Sequence, residues 1–153
     1  MPPLWTSARA SRRSALMSLL SANGLTGGLF ADAEMAAALS DRSWLAAMLD
    51  YEAALAWAEA RAGVIPEAAA EVIASCCKVE DFDIAEIGRR TTLAGNPAIP
   101  LVAMLTAKVR AKDPAAAEFV HYGATSQDVI DTALGAIATR AEHLIQNLSL
   151  IHI

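Results

Sequence analysis

Aromatic side chains are scarce in this chain, at 5% of its 153 residues. Alanine is abundant in their place, and that composition disfavours sheets and favours helices. Cysteine is limited to Cys76 and Cys77, two neighbours that are poorly spaced to pair with each other. No CxxC and no Cys/His cluster occurs, so neither a disulfide framework nor a zinc site is indicated. Both thiols read as reduced and buried on a helix. Basic charge is in deficit, with 12 Lys and Arg against 17 Asp and Glu and a net charge of −5. Without a basic stripe, nucleic acid is not an expected partner. No apolar run reaches the length needed to cross a bilayer, so no membrane partner is expected either.

What is present is hydrophobic, at 55% of residues, and its punctuation is helical. Ser40 or Asp41 caps a helix to about Ala62. Its apolar positions Trp44, Leu45, Met48, Leu49, Ala53, Leu55 and Trp57 recur at a helical period. Gly63 stops it, and Pro66 opens the first turn of the next helix, which carries Val72, Ile73 and Cys76. Phe82 and Asp83 open a short helix through Ile84 and Ile87. The run Gly95-Asn96-Pro97-Ala98-Ile99-Pro100 breaks it, with Gly95 or Asn96 free to take a positive φ. A further helix is predicted from about Leu101 to Ala111, ended by Asp113-Pro114. The last begins near Ser126, with Val129, Ile130, Ala133, Leu134, Ile137, Ala141, Leu144, Ile145 and Leu148 on a broad apolar face. No internal repeat or low-complexity linker interrupts the pattern.

The ends read differently. Arg9, Arg12 and Arg13 precede a short apolar patch, a weak echo of an export signal. A misassigned start, with Met17 the true initiator, fits better, and residues 1–24 are set apart as an extension. The final helix reaches Ile153 without a cap, and its terminal Leu-Ser-Leu-Ile-His-Ile resembles translated adaptor sequence. Residues 149–153 are therefore expected to be non-native.

The stretch His121-Tyr-Gly-Ala-Thr-Ser-Gln-Asp128 is a polar knot before the last helix. It places hydrogen-bond donors at a helix N-terminus, where orphaned N–H groups and the dipole favour an anion. The same residues also make a cap, since Thr125 and Asp128 read as T-x-x-D, a variant of the capping box. Cap and anion site both stand on spacing alone.

The run His121-x-Gly123-x-Thr125-Ser126-x-Asp128 resembles the first signature region of the fumarase/aspartase superfamily. Three further segments resemble its 3-carboxy-cis,cis-muconate cycloisomerase branch. They are Ser40-Asp41-Arg42, then Met48 to Ala56 followed by Gly63-Val64-Ile65-Pro66, and Ala94-Gly95-Asn96-Pro97-Ala98-Ile99-Pro100. The match runs from about Leu29 to Leu148 and resembles the first third of a family chain. The resemblance implies an all-α, L-aspartase-like fold. Residues 25–124 would form an N-terminal helical domain and 125–153 the start of the first long helix of a central bundle. Adenylosuccinate lyase is the nearest sibling. It carries an Arg-Tyr pair where Leu29-Phe30 stand here, and an Arg-His-Asp segment where Gly95-Asn96-Pro97 stand, which favours a small carboxylate substrate over a nucleotide.

The chemistry so implied is addition of a carboxylate across a double bond to close a lactone, in aromatic catabolism. Negative charge develops on a second carboxylate, and fixed donors aimed at it are the natural catalytic device. Thr125 and Ser126 are the expected carboxylate binders. His121 is expected either to hydrogen-bond substrate and handle a proton or to pin its loop. Asn96 is either a second donor or a turn residue. Asp128, Gly123 and Pro97 are assigned to structure, as is Asp131. Arg89 and Arg90 could attract a tricarboxylate but read better as a solvated helix face, Arg42 as an organiser of the loop before it, and His143 as surface or bundle. The family's Thr-His motif and Gly-Ser-Ser-x-Met-Pro loop, which supply acid and base, do not occur here. The resemblance therefore implies that these residues alone are inactive, and that the working form is a cytoplasmic homotetramer acting on a small tricarboxylate without metal or organic cofactor. The alternatives are an adenylosuccinate lyase-like or other lyase of the superfamily, or a non-catalytic helical interaction module.

Overall fold

A computed structural model describes residues 32–151. The readings at Leu29-Phe30 and at residues 1–24, and the end of the tail at 152–153, lie outside the described residues. Among the described residues six α-helices follow in order: α1 (Ala33–Ala38), α2 (Asp41–Arg61), α3 (Glu67–Cys76), α4 (Ile84–Ala94), α5 (Ala98–Lys112) and α6 (Ser126–Ile151). Short 3-10 turns at Val79–Asp81 and Ala116–Phe119 link them, and no strand occurs among the described residues.

Helix α2 is the central element. Ser40 caps it by accepting the Ser43 N–H. Its buried positions Leu45, Met48, Leu49, Glu52 and Ala56 form one stripe at helical spacing, packed against both α3 and α6. The helix ends in a Schellman arrangement. Gly63 takes φ +72, its N–H bonds Ala60, and the Val64 N–H reaches back to Glu59. Only glycine enters that conformation without steric cost, and the reversal delivers Ile65 into the core at 4% exposure. Ile73 and Cys76 of α3 join the same core, as do Leu101, Leu105 and Val109 of α5 and Val129, Ala133 and Ile137 of α6.

Two proline readings shift. Pro66 precedes the first turn of α3 as its N-cap, with ψ 140, rather than lying inside it. Pro100 belongs to the run expected to break the chain, yet α5 begins at Ala98 and Pro100 sits buried in its first turn. N–H groups of the first turn have no intrahelical acceptor, so a proline there removes no hydrogen bond. Asn96 explains the early start. Its Oδ1 accepts the Ala98 and Ile99 N–H groups at 3.1 and 3.2 Å. Of the two residues proposed for a positive φ, Gly95 takes it.

Candidate functional site

The loop before α6 is built from two left-handed residues. His121 has φ +57 and Gly123 φ +67. A non-glycine residue in that region costs about 1–3 kcal/mol and persists only where its surroundings hold it. Here the holding group is Glu52. His121 Nδ1 lies 2.7 Å from Glu52 Oε1, across 69 residues of sequence. The Glu52 side chain is wholly buried, and that of His121 is 15% exposed. The imidazole is thus turned inward onto α2, and the hydrogen bond pins the loop.

Two carboxylates surround this contact. Glu52 Oε2 and Glu59 Oε2 are both closed off from solvent without a hydrogen-bond partner among the described residues. Glu59 as a residue is only half-buried, so the shielding is confined to that oxygen. Burial pushes the Glu52 carboxyl above its ordinary value, and His121 opposes the rise. Glu59 is raised for the same reason, again against His121. The Tyr51 phenol is also raised, first by burial and then by the negative charge of Asp128, Glu52 and Glu59.

At the helix start, Asp128 Oδ2 accepts both the Thr125 N–H at 2.8 Å and the Thr125 hydroxyl at 2.9 Å. Those two donors hold the Asp128 carboxyl below its usual range. The Thr125 carbonyl accepts the Asp128 N–H at 3.1 Å, so the cap closes through the backbone. This differs from a capping box in one respect: the hydroxyl donates to the carboxylate instead of accepting from the helix. The single O–H of Thr125 is therefore committed to Asp128. Ser126 is half-buried, and its hydroxyl has no hydrogen-bond partner among the described residues. Its own N–H and that of Gln127 belong to the unbonded first turn. Ser126 and these N–H groups form the open donor set.

The remaining candidates are placed as follows. Asn96 caps α5 and makes no hydrogen bond to the 121–128 loop among the described residues. Pro97 follows it in the α5 start. Asp131 accepts from Gln127 Nε2 at 2.6 Å on α6. Arg89 and Arg90 both pair with Glu86 on the exposed face of α4. Arg42 pairs with Glu80 in the 3-10 turn, so it ties α2 to a downstream segment rather than to the loop before it. His143 is exposed. Among the described residues no three His, Cys, Asp or Glu side chains converge as metal ligands. An apolar groove of about 460 Å³ runs between α2, α4 and α6, lined by Trp44, Met48, Ile87, Pro97 and Ile130 among others. Neither His121 nor Ser126 lines it, so this groove and the polar loop are separate features.

Glu52 and Glu59 were missed as site residues by sequence reasoning. The signal was available. Glu52 occupies a core position of the α2 stripe, and Glu59 follows it by seven residues, two turns along the same face.

The described residues form an all-α unit whose 121–128 loop is pinned onto α2, and comparisons with known proteins give its class. No family model matches the chain. It is 57% identical over 105 residues to a 3-carboxy-cis,cis-muconate cycloisomerase of Bradyrhizobium diazoefficiens, which covers 69% of this chain and 23% of that protein. It is 44% identical over 124 residues to a nitrosuccinate lyase of Streptomyces davaonensis, covering 81% of this chain and 26% of that protein. The crystal structure of the 3-carboxy-cis,cis-muconate lactonizing enzyme of Pseudomonas putida superimposes with a TM-score of 0.78 at 41% identity, over 80% of this chain and 28% of that one. The chain belongs to the fumarase/aspartase superfamily of all-α enzymes. Within it, the chain is similar to the 3-carboxy-cis,cis-muconate cycloisomerases and spans about a quarter of the length of the curated relatives it matches.

Proposed function

We propose that this chain forms one wall of the active site of a 3-carboxy-cis,cis-muconate cycloisomerase. In this reading a substrate carboxylate seats at the α6 N-terminus. Ser126 and the first-turn N–H groups bind it directly, Thr125 is held in place by Asp128, and His121 borders the reacting carbons. The open donor set at Ser126 carries the assignment, because aci-carboxylate charge needs donors that are not already spent. Asn96 serves this site indirectly, by fixing the start of α5. In this reading the acid and base come from outside the 153 residues, which alone are expected to be inactive. We further propose that residues 25–124 form one domain and that α6 opens a bundle shared by a cytoplasmic homotetramer. Leu134 and Ile145 support the bundle, since they stay 50% and 57% exposed on α6.

The test is a chimera in which this chain replaces the matching segment of the Bradyrhizobium cycloisomerase. Lactonisation of 3-carboxy-cis,cis-muconate, lowered at least about tenfold in kcat/KM by Ser126→Ala, is the expected result. An active chimera indifferent to that substitution would remove Ser126 from the site. The second reading is a related lyase, favoured by the nitrosuccinate lyase match; a chimera active on nitrosuccinate and inert to carboxymuconate would establish it.

A further inference from the structure

Glu52 stands where the α2 stripe calls for an apolar residue, between Leu49 and Ala56. A carboxylate in such a position is tolerated only with a partner, and its partner is His121. His121 in turn holds a left-handed backbone that a loop histidine would not keep unaided. Its other ring nitrogen, Nε2, has no hydrogen-bond partner among the described residues. The charged groups facing the ring are Glu52, Glu59 and Asp128, with the Tyr51 phenol beside them.

We infer that Glu52 is a positioning residue for His121. Its carboxylate accepts the Nδ1–H, fixes the neutral imidazole in the Nδ1–H tautomer, and leaves Nε2 as the one open nitrogen. Three anionic side chains around the ring favour a proton on the nitrogen nearest them, and Glu52 is in contact with Nδ1. The opposite arrangement, a Glu52 O–H donating to a bare Nδ1, would turn Nε2 into a donor. The difference decides what His121 can meet. A bare Nε2 accepts a proton or a hydrogen bond from a substrate O–H or C–H acid or from water, and it does not bind a carboxylate while neutral. The functional consequence rests on the proposed active-site reading. The tautomer itself does not, because it is read without substrate.

The experiment is nitrogen-15 NMR of the histidine rings in the 153-residue chain, above about pH 8 where ordinary imidazoles are neutral. His143, exposed on α6, is the internal reference. The expected result is Nδ1 protonated and Nε2 bare at His121, unlike His143. Glu52→Gln retains this state, since its amide oxygen still accepts. Glu52→Leu moves His121 from a dominant Nδ1–H form to a dominant Nε2–H form. A wild-type His121 in the Nε2–H form overturns the inference, as does a folded Glu52→Leu variant that keeps Nδ1–H. If the leucine variant does not fold, the wild-type spectrum still decides.

Discussion

Replacing Glu52 with leucine removes the only buried charged side chain among the described residues. One charge-assisted hydrogen bond to His121 is lost, worth about 1.5–3 kcal/mol. Against it stands relief of the orphaned Oε2, about 1–3 kcal/mol. Burying a leucine in a site of similar shape adds up to about 1.5–3 kcal/mol. His121 Nδ1 also loses its partner, a further cost of about 1–3 kcal/mol. At pH 7 gains and losses therefore nearly cancel, and the variant should lie close to wild type in stability. Leu49→Ala, one turn earlier at 1% exposure, should instead cost about 2–5 kcal/mol. The pH dependence supplies a second handle. Burial raises Glu52 above 4.5 in the folded state, so its contribution to stability is fullest below 4.5 and is lost as pH rises through the raised value. The leucine variant lacks that loss, so its stability relative to wild type should rise as pH rises above 4.5. Urea unfolding followed by helical circular dichroism measures both effects. A Glu52→Leu penalty equal to that of Leu49→Ala at pH 7 would refute the reasoning. So would a difference between wild type and variant that stays flat across the titration.

Three further outcomes follow from other parts of the molecule. The Cys77 thiol is pushed up to about 12, first by burial and then by nearby negative charge, and it donates to the Ile73 carbonyl. At pH 8 its alkylation should run roughly a thousandfold slower in the native chain than in urea, measured by mass spectrometry; rates within tenfold of each other would refute the burial. Asn96→Ala removes both side-chain caps of α5 and should cost about 0.5–2 kcal/mol by the same denaturation assay, whereas Asn96→Asp should retain most of that stability. Asp128→Ala should expose the Thr125 amide to faster hydrogen exchange. In wild type that protection should fade as pH falls through the depressed Asp128 value, because a lowered carboxyl stabilises only while ionised. An unchanged Thr125 exchange rate would show that the cap is not formed in solution.

The helices were legible in the sequence because their signals are local. Ser40 and Gly63 bracket α2 through contacts within five residues, and a spacing rule needs nothing more. The boundary at α5 was misplaced for an equally local reason. Pro100 looks like a breaker until Asn96 is recognised as the cap, after which proline in the first turn breaks nothing. The site was legible only in part. Thr125, Ser126 and Asp128 are adjacent in sequence, so the cap could be read directly. Glu52 and His121 are separated by 69 residues, and no periodicity links an imidazole to a carboxylate on another helix. What the α2 stripe could have shown is the anomaly alone: a carboxylate at a core position must find a polar partner somewhere. The structure supplies that partner in the histidine of the signature loop. The two puzzles are one contact, and it changes what His121 is for. A histidine spending Nδ1 on the core has a single nitrogen left for chemistry. In the proposed reading the carboxylate-binding role then falls to Ser126 and the open end of α6, where donors remain unspent.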